Sequence, residues 1–219
     1  TDEVNSNGGI NGKSLQLILE DAKSSSKDAV AAAQKLITVN RVSIIVGDVL
    51  SSTTLAVAPI AERNKVVLFA PGASNPKLRD AGDYVFRNWA SDDYDGTAIA
   101  AYAYKKVGIK SIAILAQQTD YCLGLAEAFE REFVKLGGKV LTKEFFKTEA
   151  VDFRTQLTKI RRSSASAVYV SAEARQTGTI LRQASELRFS PLWFTNLTVD
   201  TPECAKIAGQ SREGVIFST

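Results

Sequence analysis

Apolar and polar positions along the chain sort into two kinds of segment that alternate from end to end. Short, almost unbroken apolar runs are "LQLILE" (residues 15–20), "VSIIVG" (42–47), "VVLFAP" (66–71), "YVFRNW" (84–89), "SIAILA" (111–116), "KVLTKEFF" (139–146), "AVYVSA" (167–172), "PLWFTN" (191–196) and "GVIFS" (214–218). Runs this short and this apolar predict strands covered on both faces. Between them lie stretches whose apolar residues recur at about every third or fourth position, the period of a helix with one buried face. "SKDAVAAAQKLI" predicts a helix with Ser26 as N-cap and Val30, Ala33 and Ile37 on one side. "TTLAVAPIAERN" predicts another, kinked or shortened at Pro59. After "ASDDYDG" the pattern restarts with helices over "TAIAAYAYKKVG", "GLAEAFEREFVKLGG", "DFRTQLTKIRR" (capped by Asp152), "RQTGTILRQASELR" and a short "PECAKIAG".

Strict alternation of strands and helices implies an α/β fold: parallel sheets with helices on both faces. The restart near Asp92 divides the chain into two lobes. In open sheets of this kind ligands bind beyond the carboxyl ends of the strands. Two small-residue clusters stand there in the first lobe. One is Ser51, Ser52, Thr53 and Thr54 at the start of a helix; the other is the turn Pro71-Gly72-Ala73-Ser74. Hydroxyls and N–H groups at a helix start can replace the water around a carboxylate. The plainer reading is an ordinary helix cap and a turn serine.

Composition then removes whole classes of chemistry. The 219 residues hold no histidine, so neither a Ser-His-Asp triad nor a histidine metal site can be built from them. The two cysteines, Cys122 and Cys204, lack metal-ligand spacing, and free buried thiols are preferred over a disulfide. Net charge is +3 from 27 basic and 24 acidic residues, well mixed, which is no footprint for nucleic acid. The densest basic run, "KIRRSS" (159–164), is read as the solvated end of a helix. No apolar stretch is long enough to span a membrane. No GxGxxG or P-loop pattern is present, which places a two-lobed enzyme last among the readings. The opening "TDEVNSNGGING" reads as a helix end with a Gly-rich stop, as in a piece of a longer protein.

The order of segments resembles the type I periplasmic binding proteins of ABC importers, in their leucine/isoleucine/valine-binding branch. The stretches that carry the resemblance are "NSNGGINGKSLQLILEDAKSS", "AVAAAQKLI", "IVGDVLSSTTLAVAPIAE", "FAPGASNPKL", "VFRNWASDDYDG", "DYCLGLAEAFEREFVKLGGKV", "VDFRTQLTKIR", "ILRQASEL" and "IAGQSREGVIFS". The resemblance implies two Rossmann-like lobes, with residues 1–91 part of lobe one, 92–216 most of lobe two and 217–219 the start of a crossover back. It also implies that a first strand of lobe one precedes Thr1, so that these residues alone would leave backbone groups unpaired and fold poorly.

The same resemblance implies a periplasmic or extracytoplasmic, non-catalytic solute-binding module, without cofactor or metal. It would close its lobes around a small carboxylate and deliver it to a membrane permease. Ser51, Ser52, Gly72, Ala73 and Ser74 match the positions that grip the carboxylate. Tyr121 matches a tyrosine that closes over the ligand, although Cys122 stands where the family has glycine. The usual acid for the ligand's ammonium is replaced near Asn196 and Leu197, which leaves Asp92 and Glu173 as candidate partners. Trp89 and Tyr94 flank the crossover and could wall a pocket, whereas Trp193 reads as core. An amino acid is the preferred ligand. An aromatic or aliphatic acid, or a sensor domain on the same fold, are the alternatives.

Overall fold

A computed structural model describes residues 1–218; the last residue of the expected crossover, Thr219, lies outside them. The protein forms two compact units, and the segment Ala73–Arg79 groups with the second. Helix α1 (Asp2–Ser6) precedes both sheets and ends in the expected Gly-rich turn.

The first unit holds α2 (Ser26–Thr38), β1 (Ile44–Val46), α3 (Ser51–Asn64), β2 (Val67–Ala70) and β3 (Val85–Arg87). The strands are parallel in the order β1-β2-β3, with Ile45 opposite Leu68 and Phe69 opposite Phe86. Ser25 rather than Ser26 caps α2, accepting from the Asp28 N–H at 3.4 Å. Helix α3 runs through Pro59 without being shortened. Ala29 and Ala33 of α2 pack with Val57, Ala58 and Ala61 of α3 over Leu68.

The predicted strand "LQLILE" is not formed. Residues 15–20 join no ladder; the Asn5 amide group donates to the Leu15 C=O at 2.9 Å and accepts from its N–H at 2.7 Å. A strand exists only through its hydrogen-bonded neighbour, and among the described residues β1 pairs with β2 alone. The apolar pattern therefore lines a groove of about 510 Å³ with Leu17, Leu19, Ile44 and Val46 instead of entering a sheet.

The second unit is larger. It holds α4 (Asp92–Ala101), β4 (Ser111–Gln117), α5 (Asp120–Lys135), β5 (Lys139–Phe146), α6 (Arg154–Arg162), β6 (Ala167–Ser171), α7 (Ala174–Glu186), β7 (Leu192–Thr195), α8 (Pro202–Ala208) and β8 (Ile216–Phe217). All five strands are parallel, in the order β5-β4-β6-β7-β8. The alternation of side chains divides each central strand between two cores. Ile112, Ile114, Ala116, Ala167 and Tyr169 face α4 and α5, meeting Ile99, Phe129 and Phe133. Ala113, Leu115, Val168 and Val170 face the other way and meet Phe153, Leu157 and Ile160 of α6 and Ile180 and Leu181 of α7. That is why these strands read as unbroken apolar runs.

Helix α4 begins at Asp92, five residues before the periodic pattern does. Ser91 caps it by accepting from the Asp93 N–H at 3.4 Å, and three aspartates in its first turn suit the positive end of the dipole. The polar stretch "SDDYD", read from sequence as a break, is thus the first turn of a helix. Gly96 lets α4 lie close to α5, since a Cβ there would come within 2.7 Å of the Ala128 Cβ.

Candidate functional site

Strand order in the second sheet reverses at β4. Helix α5 carries the backbone from β4 to β5 on one side, and α6 returns it across the opposite face to β6 on the other. Loops leaving the carboxyl ends of β4 and β6 therefore diverge, and the gap they open is where a ligand can approach helix N-termini. The residues at this point are Gln117 at the end of β4 with Thr119 and Tyr121 beyond it, and Ser171 at the end of β6 with Ala172 and Glu173 beyond it. Gln117 spans the gap, its amide oxygen accepting from the Glu173 N–H at 2.9 Å. Its amide nitrogen, buried, has no partner.

Tyr121 lies in the first turn of α5, capped by Thr119, whose hydroxyl accepts from the Cys122 N–H at 3.2 Å. Cys122 takes an ordinary helical position, so glycine is not needed there. Its thiol is buried, and burial pushes it up to about 12, which keeps it protonated and inert. Both cysteines are free. Burial also raises the Tyr121 phenol, reinforced by the charges of Asp92, Asp95 and Glu173. Asp92, Asp95 and Glu173 are thus the acids whose charge bears on the Tyr121 phenol. Burial raises the Asp95 carboxyl above the usual carboxylate range, opposed by the nearby Ser218 hydroxyl.

The segment Ala73–Arg79 docks against the same helix starts. Asp92 donates its N–H to the Ser74 C=O at 3.0 Å, and the Asn75 amide group donates to the Asp120 C=O. The close approach needs Gly124, where a Cβ would fall 2.7 Å from the Asn75 amide nitrogen. Arg79 and Arg131 both bind Asp93, at 3.0 and 2.5 Å. Ala73 and Ser74 are buried.

Ser51, Ser52 and Gly72 belong to the first unit. Ser51 is buried in the first turn of α3. Of the four clustered hydroxyls, two turn back on the backbone: Thr53 donates to the Leu50 C=O at 2.8 Å, and Thr54 donates to it at 2.9 Å. A Cβ at Gly72 would lie 3.2 Å from the Val49 Cγ1.

One expectation changes. Asn196 is buried and engaged in holding the fold. It donates to the Ala172 C=O at 3.2 Å and accepts from the Thr198 N–H and hydroxyl, tying the end of β7 to that of β6. Trp89 and Tyr94 are exposed, at 55% and 74%. Sequence reasoning missed Asp95, Gln117 and Tyr169. Asp95 stands one helical turn after Asp92, a spacing that would have found it had the helix been started at Ser91. Gln117 and Tyr169 had only polarity inside an apolar strand to mark them. Among the described residues no group of His, Cys, Asp and Glu could hold a metal ion, and no helix is long and apolar enough to cross a membrane.

A model of the family described as periplasmic binding protein matches residues 1–219. An amino acid binding protein of Pseudomonas aeruginosa is 30% identical over 99% of the chain. A leucine binding protein of Thermotoga maritima is 33% identical with a TM-score of 0.90 over 98% of the chain and 61% of its own. The branched-chain amino acid transporter substrate binding protein of Streptococcus pneumoniae, solved with isoleucine, is 27% identical with a TM-score of 0.83, covering 99% of this chain and 62% of its own. The chain spans 59% of the Pseudomonas relative's length.

Proposed function

Because the chain belongs to the periplasmic binding protein family, we propose that it is the solute-capturing part of an ABC importer, taking up a small amino acid outside the cytoplasm and delivering it to a membrane permease. The names of its relatives support this reading: one is an amino acid binding protein, one binds leucine and one was solved with isoleucine. The observation that carries it in this protein is the placement of Asp92 at the start of α4 and of Glu173 at the start of α7, just past β6. An ammonium removed from water needs a charged partner, and Asp92 and Glu173 supply one at the switch point of the second sheet. The opposite end of an amino acid needs neutral donors. Ser51, Ser52 and Ser74, with the N–H groups of Gly72 and Ala73, are of that kind. The function is capture, with no bond made or broken in the ligand.

A thermal-shift screen of the full protein tests this, pairing each amino acid with its deaminated keto or carboxylic analogue. Ligand at a hundredfold its Kd stabilises the native state by about 2.7 kcal/mol, a readily measured shift. Amino acids with branched apolar side chains are expected to stabilise and their deaminated analogues to fail. Preferential stabilisation by the deaminated compounds would replace the amino acid by an aliphatic or aromatic acid. No shift with either set would remove the small-carboxylate reading.

A further inference from the structure

The chain between β2 and β3 leaves the first unit after Gly72 and returns to it at Asp80; the residues between, Ala73–Arg79, are held by the second unit. Three contacts fix them there. The Ser74 C=O accepts from the N–H of Asp92, at the start of α4, at 3.0 Å. The Asn75 amide nitrogen donates to the C=O of Asp120, the first residue of α5. The Arg79 guanidinium binds one Asp93 carboxylate oxygen at 3.0 Å, and Arg131 of α5 binds the other at 2.5 Å.

Asn75 is the centre of this attachment. It is buried, at 2% exposure, and a buried amide has to be paired. Its side-chain oxygen accepts from the Lys77 N–H at 2.8 Å and its C=O from the Leu78 N–H at 3.1 Å, which starts the short 3-10 turn Pro76–Asp80. One side chain thus shapes the turn with its oxygen and ties it to α5 with its nitrogen. Its seat is Gly124, one helical turn beyond Asp120: a Cβ there would fall 2.7 Å from the Asn75 amide nitrogen and 3.1 Å from the Pro76 Cδ. Ser74 immediately precedes Asn75. Its backbone is therefore fixed on α4 through its own C=O and on α5 through its neighbour. A loop residue held only by the chain would have to be ordered when a ligand binds, and that ordering costs affinity.

We propose that Asn75, seated on Gly124, is a positioning residue for the ligand carboxylate: it fixes Ser74 before any ligand arrives, so that the Ser74 hydroxyl meets the carboxylate already in place. The inference rests on the carboxylate role given to Ser74 above and says how that grip is held. Asn75 acts through Ser74 and makes no contact with the ligand itself. The Arg79–Asp93–Arg131 bridge is the weaker outer anchor, since both arginines are exposed and their ion pairs are screened by solvent.

Titration calorimetry of the full protein with L-leucine tests it through double-mutant cycles. Gly124→Ala removes the seat while favouring the helix that carries it. Asn75→Asp keeps the oxygen that shapes the turn and removes the donor to Asp120. Each should weaken L-leucine about tenfold, the effect of having to order one residue's backbone on binding. With Ser74→Ala already present, neither should weaken it by more than about twofold, because the group they position is gone. Arg79→Gln should show the same pattern at a smaller size. Losses that simply add to that of Ser74→Ala would overturn the inference in favour of a general structural role, while leaving the carboxylate role of Ser74 standing. Unchanged affinity in both Gly124→Ala and Asn75→Asp would overturn it as well. No effect of Ser74→Ala by itself would fail the reading beneath the inference, and the inference with it. Binding of 4-methyl-2-oxopentanoate without binding of L-leucine would fail the amino-acid reading alone; the same cycles read with that acid, which keeps the carboxylate, then decide the role of Asn75. Binding of neither compound would overturn both.

Discussion

The two parallel sheets are built by the same rules and reach different ends. In the second unit, helices cover both faces, and β4 and β6, flanked by strands on either side, bury almost every residue. In the first, β1 is an edge strand, and Ile44 and Val46 are 59% and 69% exposed although their sequence is as apolar as that of β4. Among the described residues the three strands of the first sheet run in sequence order, whereas the second sheet reverses at β4. Apolar sequence thus proposes a strand, but neighbours on both sides decide whether it becomes core. Connection order decides where chemistry can collect.

The contrast is broken most directly in the second core. Phe129 is fully buried, stacked between Phe133 and Tyr169. Phe129→Ala should cost about 3–5 kcal/mol, read by denaturant unfolding followed through tryptophan emission. Both tryptophans, Trp89 and Trp193, belong to the second unit, so the signal reports that unit alone. A loss below about 1 kcal/mol would show that the second core is no tighter than the first.

A smaller effect separates the neutral donors from the acids. Ser74→Ala should weaken the best ligand by about 1.5–3 kcal/mol, the range for a hydrogen bond to a charged group. It should weaken an amino acid and its deaminated analogue alike, because both keep the carboxylate. Glu173→Gln should weaken only the amino acid. Unchanged affinity in Ser74→Ala would sink the carboxylate role, and equal effects of Glu173→Gln on both ligands would sink the division of labour.

Protonation gives a third test, smaller again. Asp95 has a raised pKa because burial disfavours its charged form. Between the ordinary carboxylate range and that raised value the native state holds more protons than the unfolded state, so stability falls as pH rises through the window. Asp95→Asn should flatten this part of the pH–stability curve and raise stability at neutral pH in the absence of ligand. An unaltered curve would mean that solvent reaches the carboxylate freely.

The smallest change belongs to the open edge. Ile44→Thr should alter stability by no more than about 0.5 kcal/mol, as expected of an exposed position. Amides of residues 15–20, outside any ladder, should exchange with solvent far faster than those of β4. A large loss in Ile44→Thr, or slow exchange in residues 15–20, would mean that the edge is covered in solution.

Sequence by itself determined the α/β class, most of the helices and strands, and the exclusion of histidine chemistry. It could do so because hydrophobic period, cap residues and the position of polar residues beyond a strand are local properties. Only the tertiary structure decided that "LQLILE" joins no ladder, since pairing needs a neighbour that period cannot supply. Only it moved Ser74 into the second unit, through the Asn75 contact with Asp120. It also engaged Asn196 in tying two strand ends together. Whether a polar residue serves the fold or is left free for a ligand depends on which distant atoms reach it, and that is fixed by packing between elements.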